Sequence, residues 1–227
     1  MALDSKRAMV ERLRADIVVI QECARDNQMQ HELGVSSAWH GAYEPKGLGV
    51  FAFGGWSVAP LDAEHARPWS LPVAVFDPAG NKVVRLVAVW TMGPARSGGL
   101  SYAEQVDDLI GQWEQELRAG TVVLAGDFNC SPQTANVAPH LANVTRLATC
   151  GVRSAYHAHR GISAGDETDM TLRWVGRGGV PSWFHCDLIF VHDQIASRVS
   201  AVEVGQPEDW IGPGRSDHAP VTIDIAL

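Results

Sequence analysis

The chain has 227 residues, of which 46% are hydrophobic and 19% are charged, and this composition excludes a disordered chain. Its formal net charge of −8 disfavours broad binding to nucleic acid, although a local basic rim or a bound metal can offset the average. No apolar run approaches the roughly 20 residues that span a bilayer, and charges occupy the N-terminal stretch where a signal peptide needs its apolar segment. We therefore expect one domain, residues 1–227, in the cytoplasm and without a membrane partner.

The first part of the chain predicts one helix and several buried strands. Residues 4–14 form a short helical pattern with Asp4 or Ser5 as its cap, and the β-branched run at 16–20 predicts a buried strand. Three more strand-like runs lie at residues 47–53, 71–76 and 83–90. The turn sequence at 77–81 predicts that the last two form a hairpin.

The second part alternates helices and strands. Ser101 and Glu104 have the spacing of a capping box, which opens a helix that Gly120 closes. Residues 139–149 predict a second helix. Strands are predicted at residues 121–125, 171–175, 186–191 and 221–225, with a weaker one at 199–204. Residues 160–183 are glycine-rich and polar, so we expect them to include a flexible loop near the functional face. Because strands outnumber helices and some are hairpin-linked, the pattern favours an α+β, layered architecture.

The four cysteines give no metal or disulfide pattern. They are Cys23, Cys130, Cys150 and Cys186, and no two of them form a C-x-x-C pair. This spacing indicates reduced, mostly buried thiols and neither a zinc site nor a disulfide framework.

Four short segments place polar residues at the ends of predicted buried strands, where α/β proteins usually position their sites. The residues concerned are Glu22, Asp127, Asn129, His185, Asp187, Asp217 and His218. Each segment alone has a plain structural interpretation: a solvated strand-end carboxylate, an Asx turn, two satisfied polar strand residues, or a surface histidine. Four carboxylate-rich segments in one chain are harder to explain in that way.

The residue types at these positions suit phosphoester chemistry. A strand-end carboxylate such as Glu22 is the ligand that Mg²⁺ prefers. Strand alternation puts Asp127 and Asn129 on one face, where they can hold a water and a phosphoryl oxygen together, and also puts His185 and Asp187 on one face. A carboxylate beside His218 would fix its tautomer and charge.

The order and the residue sequences of these segments resemble the motifs of the endonuclease/exonuclease/phosphatase (DNase I-like) superfamily. The segments read QE at 21–22, GDFN at 126–129, CDLIF at 186–190 and SDH at 216–218, and together they cover nearly the whole chain. The resemblance implies two packed mixed β-sheets flanked by helices, an α/β/β/α four-layer sandwich, with the site at one end.

The resemblance also implies a role for each residue. Glu22 would ligate Mg²⁺ or Mn²⁺, and Asp217 would join the metal or water shell. Asp127 would align or deprotonate the attacking water, and Asn129 would bind phosphate or orient Asp127. Asp187 would pair with His218, which would stabilise charge developing on the phosphoryl oxygens.

Two departures from the family pattern matter. Family members begin with a strand that carries an Asn, and this first strand is missing here, which suggests that Met1 is an internal methionine of a longer reading frame. Trp90 stands where many relatives have His or Tyr, and indole cannot transfer a proton at neutral pH. The second acid/base group would then be His185, or leaving-group protonation would fall to metal-bound water, which favours good leaving groups.

The sequence therefore predicts a divalent-metal-dependent phosphoesterase, a nuclease or phosphatase that acts on a phosphodiester or phosphomonoester, with nucleic acid as one candidate partner. The alternative is a catalytically impaired relative that binds a phosphorylated ligand or partner. Lys46 either begins a strand or brings a cation to a phosphate. The tryptophans of loops and strand ends either pack at sheet edges or stack on bases. Fold and core motifs do not choose the substrate, and the oligomeric state is unknown.

Overall fold

The computed structural model describes residues 6–26, 35–61, 67–134, 137–212 and 216–226. Its helices are α1 (Arg7–Arg12), α2 (Tyr102–Arg118), α3 (Val137–Thr149), α4 (Ala155–Arg160), α5 (Asp193–Ala196) and α6 (Pro207–Trp210). Its strands are β1 (Ile17–Cys23), β2 (Ser36–Tyr43), β3 (Lys46–Ala52), β4 (Ser57–Pro60), β5 (Ser70–Phe76), β6 (Lys82–Trp90), β7 (Val122–Asp127), β8 (Val152–Ser154), β9 (Leu172–Val175), β10 (Pro181–Phe184), β11 (Asp187–His192), β12 (Val199–Val204) and β13 (Val221–Ile225).

A six-stranded mixed sheet forms the centre of the molecule, in the order β4-β5-β6-β7-β11-β8. β6 and β7 are parallel, and every other neighbouring pair in this sheet is antiparallel. The parallel pair requires a crossover connection, which α2 provides. Ser101 caps this helix, and its hydroxyl and the Glu104 side chain form the predicted capping box.

The remaining strands form smaller sheets. β1, β3 and β2 make a three-stranded antiparallel sheet, while β12–β13 and β9–β10 are antiparallel pairs. Among the described residues, β1 pairs as a strand only with β3, and β13 pairs only with β12.

Three buried clusters show how the layers stack. The largest lies between the three-stranded and six-stranded sheets and includes Val50, Val73 and Ala88. The second lies between the other face of the six-stranded sheet and the helices, where Leu109 and Ile110 of α2 are fully buried. The third packs Val10 of α1 and residues around it against the outer face of the three-stranded sheet. The layers therefore run α1, small sheet, large sheet, α2 with α3, and the predicted four-layer sandwich is confirmed.

The structure adds to and corrects the predicted elements. Strands β2, β4, β8 and β10 and the short helices α4, α5 and α6 were not predicted, and each is short or weakly patterned. Residues 160–183, expected to include a flexible loop, contain β9, which matches the strand predicted at 171–175, and most of the unpredicted β10, and the two strands pair as a hairpin. The expected caps Asp4 and Ser5 lie outside the described residues. Across the part of the chain that is described, no helix has the length and apolar character to cross a membrane.

Candidate active site

Three neighbouring strands of the large sheet end in a row of polar side chains. Trp90 of β6 lies opposite Asp127 of β7, which lies opposite Asp187 of β11. Cross-strand partners share a face of the sheet. Because Ala125 on β7 packs in the cluster between the two sheets, alternation directs Asp127 to the same face. The row therefore lies at one end of the sandwich, between its two sheets.

Asp127 is held in position by the turn that follows β7. Its Oδ1 accepts a hydrogen bond from the Asn129 amide at 2.9 Å, and its Oδ2 accepts one from Asn129 Nδ2 at 2.6 Å. Asn129 adopts a left-handed backbone with φ 47°, a costly conformation for a residue with a side chain. Phe128 between them is buried in the helix-facing cluster, as strand alternation predicts. The two polar side chains of GDFN therefore act as one unit.

Thr91 is a residue of this unit that the sequence did not single out. Its hydroxyl donates to the Phe128 carbonyl at 2.6 Å, its amide donates to the Asp127 carbonyl at 3.0 Å, and its carbonyl accepts from Asn129 Nδ2 at 3.0 Å. It is 1% exposed. The only sequence feature that could have indicated Thr91 is its position directly after a buried strand. Its role can be recognised only when β6 and β7 are known to be parallel neighbours, because this pairing brings Thr91 beside the turn that holds Asp127.

Asp187 forms a close pair with His218. His218 Nδ1 lies 2.8 Å from Asp187 Oδ2, and the two side chains are 27% and 13% exposed. Burial by itself lowers the pKa of His218, but the charge and hydrogen bond of Asp187 outweigh it and raise the pKa to about 10. The imidazole is therefore a cation at neutral pH, and it faces the carboxylate row.

Asp127 has an environment that suits a base working near neutral pH. Burial raises its pKa to about 7, and the neighbouring charge of Asp187 adds to this, while the His218 charge and the Asn129 amide act in the opposite direction. Asp127 is 4% exposed. A carboxylate with a pKa near the working pH can take a proton from water and later release it.

Thr171 connects the strand that carries Asp187 to the loop that carries His218. Its hydroxyl accepts hydrogen bonds from the Cys186 and Asp187 amides, both at 3.1 Å, and its carbonyl accepts from the Ala219 amide at 2.7 Å. Its neighbour Leu172 forms a β-bridge with His218. Thr171 is fully buried. No local sequence pattern distinguishes it, because its partners come from two distant segments.

The small sheet brings Glu22 and Lys46 to the same end of the molecule. Glu22 lies in an irregular stretch of β1 and has φ 59°, so it is one of three non-glycine residues with positive φ in the described chain, with Arg14 and Asn129. Its Oε1 is 2.8 Å from Lys46 Nζ, and this ammonium lies 5.9 Å from the ring centre of Trp90. Two of the three strained positions are thus expected site residues, which is where strain usually concentrates.

Trp90 has a second cation beside it. The guanidinium of Arg96 lies 4.9 Å from the indole ring centre, within the range of a cation–π contact. Arg96 is exposed. Lys46 and Arg96 therefore place two cations beside Trp90 at this end of an acidic molecule.

His185 is not brought to this site, contrary to the expectation that it faces it together with Asp187. Its ring is 1% exposed, packs against Tyr156 at 4.4 Å between ring centres, and binds the Asp169 carbonyl through Nδ1 at 2.6 Å. Burial lowers the pKa of His185, which favours the neutral ring. His185 precedes the first paired residue of β11, so strand alternation does not determine its direction. Asp217 has an exposed side chain beside His218.

The donor chemistry fits a hard divalent cation better than zinc. Asp127, Cys186 and His218 each place one candidate ligand atom within 4.8 Å of the others. Burial raises the pKa of the Cys186 thiol well above its ordinary value, which disfavours the thiolate that zinc needs, and Asp187 favours the charged form of His218. Carboxylates remain, and the Lys46 ammonium already occupies a cation position on Glu22. Oxygen ligands of this kind suit Mg²⁺ or Mn²⁺.

Comparison with known protein families decides the relationship. A model described as the Endonuclease/Exonuclease/phosphatase family matches residues 7–218. The chain belongs to this family. Members of the family cleave phosphoesters, as nucleases or as phosphatases, so the expected relationship is confirmed. Among curated proteins, no relative matches the chain.

Solved structures of the same fold cover almost the whole chain. The endonuclease domain of TRAS1, a telomere-specific non-LTR retrotransposon, is 16% identical with a TM-score of 0.68, over 98% of this chain and 91% of that one. A variant of the 3′ phosphatase NExo from Neisseria, bound to product DNA hairpin, is 18% identical with a TM-score of 0.70, over 100% and 96%. An AP endonuclease from Archaeoglobus fulgidus is 13% identical with a TM-score of 0.64, over 99% and 96%. At these identities the likeness shows the fold.

Proposed function

We propose that this family member is a Mg²⁺- or Mn²⁺-dependent phosphoesterase that hydrolyses a phosphodiester or phosphomonoester by attack of water on phosphorus. The observation that carries the proposal is the cross-strand row in which the buried carboxylate of Asp127 lies opposite Asp187, whose own carboxylate is 2.8 Å from His218 Nδ1. The raised pKa values of Asp127 and His218 agree with a base and a cation at these positions. A fold without this chemistry has no need for two carboxylates opposite each other, since like charges in that position destabilise a sheet.

Asp127 acts as the base of the reaction. Asn129 holds both carboxylate oxygens of Asp127, one through its amide and one through Nδ2, and so fixes the direction from which a water proton is accepted. The near-neutral pKa makes proton uptake and release comparably easy. Asn129 Nδ2 also donates to the Thr91 carbonyl, which anchors the whole unit to the end of β6.

His218 stabilises the negative charge that develops on the phosphoryl oxygens. Its Nδ1 is taken by Asp187, so Nε2–H is the group available to a phosphate oxygen. Because the pair fixes both the charge and the orientation of the ring before substrate binds, little reorganisation is needed during the reaction.

Glu22 and Asp217 would hold the metal ion, with the chain supplying two carboxylates and the solvent supplying further ligands. When bound, the metal supplies charge neutralisation and polarisation of the phosphoryl group. Lys46 and Arg96 add fixed positive charge beside it.

On the β6 side of the row, the described residues offer only weak acids for leaving-group protonation: the Tyr102 hydroxyl, whose pKa is raised by burial and by the charge of Asp127, and the Lys46 ammonium beside Trp90. Trp90 occupies that strand end, and indole is a hydrogen-bond donor that does not give up its proton at neutral pH. With His185 buried away from the site, we expect the rate to depend steeply on the leaving group. Nitrophenyl esters should be cleaved much faster than alkyl esters of the same phosphate.

The decisive experiment is hydrolysis of bis-p-nitrophenyl phosphate with Mn²⁺, with Mg²⁺ and with EDTA. We expect metal-dependent turnover that falls at least about a hundredfold in Asp127→Ala and in His218→Ala, the loss typical of a base or a charge-stabilising group. Asp193→Ala, which removes an exposed carboxylate paired with Arg153, is the matched control and should keep full activity. Equal activity of wild type and both site variants would refute the proposal. Folded protein that binds phosphate with no turnover would instead support a binding role.

A further inference from the structure

Lys46 occupies a position between the expected metal ligand and the carboxylate row. Its ammonium is 2.8 Å from Glu22 Oε1 and 5.9 Å from the ring centre of Trp90, whose strand neighbour is Asp127. Lys46 begins β3 opposite Tyr43, so its backbone is fixed in the small sheet while its side chain reaches towards the large one. One flexible cation therefore lies within reach of both halves of the site.

The identity of this cation is informative. Only three of the eighteen basic residues are lysines, at positions 6, 46 and 82, and the others are arginines. An arginine opposite Glu22 would form a planar, two-point pair that is hard to open. Lysine is a compact point charge on a flexible stem, and Lys46 is 40% exposed, so its contact with Glu22 can break at little cost.

The exposure and backbone conformation of Glu22 indicate that its ion pair with Lys46 is not a packing contact. The carboxylate is 53% exposed and its backbone is held in a left-handed conformation, so the pair does not provide buried packing. An exposed ion pair of this kind contributes little to stability. The strain at Glu22 is therefore better explained by presentation of the carboxylate to a cation at the mouth of the site.

We propose that Lys46 is an exchangeable cation that competes with the divalent metal for Glu22 and, once displaced, binds the phosphate of the substrate. This inference rests on the proposed function, because it takes Glu22 as a metal ligand. While Glu22 is not bound to metal, the ammonium neutralises it. When metal takes the carboxylate, the ammonium is released beside Trp90, next to Asp127, where a phosphate would lie. Metal binding thereby prepares the phosphate subsite.

The first test measures Mn²⁺ binding by calorimetry, without substrate, for wild type, Lys46→Met and Lys82→Met. Lys82 is exposed at the far end of β6 from Trp90, so it controls for the loss of one positive charge. We expect Lys46→Met to bind Mn²⁺ about threefold more tightly, the effect of removing an exposed pair, and Lys82→Met to match wild type. Unchanged or weaker binding in Lys46→Met would overturn the competition.

The second test follows the ammonium directly by reductive methylation and mass spectrometry, with Lys6 and Lys82 as internal references. We expect saturating Mn²⁺ to increase the labelling rate of Lys46 at least about twofold relative to the other two lysines, because an ammonium that has left the Glu22 carboxylate is more accessible to the reagent. Inorganic phosphate added with Mn²⁺ should protect Lys46 again, and sulfonate buffer should not.

The outcomes separate the inference from the proposed function. Suppose that Mn²⁺ does not change the labelling rate of Lys46, although Glu22→Gln weakens Mn²⁺ binding. This result would overturn the exchange of Lys46 and leave the proposed phosphoesterase activity unaffected. If Mn²⁺ increases the labelling of Lys46 but phosphate does not reduce it again, the proposed binding of Lys46 to the substrate phosphate is overturned. Mn²⁺ affinity that is identical in wild type and Glu22→Gln removes Glu22 as a ligand, and both proposals about this metal position fail together.

Discussion

Replacing Asp187 by asparagine tests the central pair of the site. Asparagine keeps the shape and a hydrogen-bond acceptor for His218 Nδ1 but removes the charge that, against the effect of burial, raises the pKa of His218 to about 10. Without that charge the pKa of His218 should fall to its ordinary value of about 6.5 or below. The cation should then be lost within the working pH range.

The magnitude follows from the two pKa values. With a pKa of about 6.5, only about one His218 in four is protonated at pH 7 and about one in thirty at pH 8. We therefore expect kcat in Asp187→Asn to fall at least about fourfold at pH 7 and about thirtyfold at pH 8. Wild type should show no loss from His218 deprotonation until the pH approaches about 10.

Two measurements check this reasoning. The pH dependence of bis-p-nitrophenyl phosphate hydrolysis gives the kinetic effect, and NMR titration of the His218 ring in EDTA gives its pKa directly. Asp193→Asn, on the surface, is the matched control and should leave both unchanged. A wild-type His218 that titrates at its ordinary pKa of about 6.5, or a variant whose activity is reduced equally at every pH, would refute the argument.

The same pair affects folding with a defined sign. Because the folded-state pKa of His218 lies above its unfolded value, the stability it contributes is fully present below about pH 6.5 and is lost as the pH rises through about 10. Urea unfolding of wild type in EDTA should therefore show falling stability over this interval, and the fall should be smaller in Asp187→Asn.

Three further substitutions test contacts of the fold, two of them beside the carboxylate row and one at the buried carboxylate of Glu167. Thr171→Val leaves the Cys186 and Asp187 amides without their acceptor and should lower the free energy of unfolding by about 2 kcal/mol and remove much of the activity. Thr171→Ser keeps the hydroxyl and should retain both stability and activity. Equal stability of the two variants in urea would contradict this. Gly126→Ala should prevent folding, because Gly126 has φ 145° and an added Cβ would overlap the Val89 carbonyl, while Gly178→Ala, with open space, should be neutral by circular dichroism. Glu167 accepts hydrogen bonds from Gln133 Nε2 and from the Gly165 amide, and its Oε1 lies 2.9 Å from His157 Nε2. Burial by itself raises the pKa of Glu167, but these contacts outweigh it and lower the pKa to about 2, so Glu167→Gln should lower the free energy of unfolding by about 2 kcal/mol above about pH 4.5. That difference from wild type should shrink as the pH falls from about 4.5 towards about 2, and a difference that grows on acidification would rule the argument out.

Residue pattern alone determined much of this protein. Buried runs such as those of β6 and β7 are β-branched and apolar over most of their length, so their strand character does not depend on partners. The Ser101–Glu104 capping box fixed the start of α2 for an equally local reason. The GDFN and SDH motifs indicated the family to which the chain belongs, and the match of the family model to residues 7–218 confirms it.

Only the tertiary structure decided which of these residues meet, because the contacts join segments far apart in the chain. Register between β7 and β11 places Asp127 opposite Asp187, and a bridge from Leu172 brings His218 beside them. The same packing turned His185 into the core, since alternation predicts a direction only within a paired strand. Thr171 carried no signal at all in the sequence, because its hydroxyl and carbonyl acquire their partners when two loops close on one strand end. The sequence pattern thus determines the secondary-structure elements and the residue types of the site, and the tertiary fold determines which of those residues contact one another.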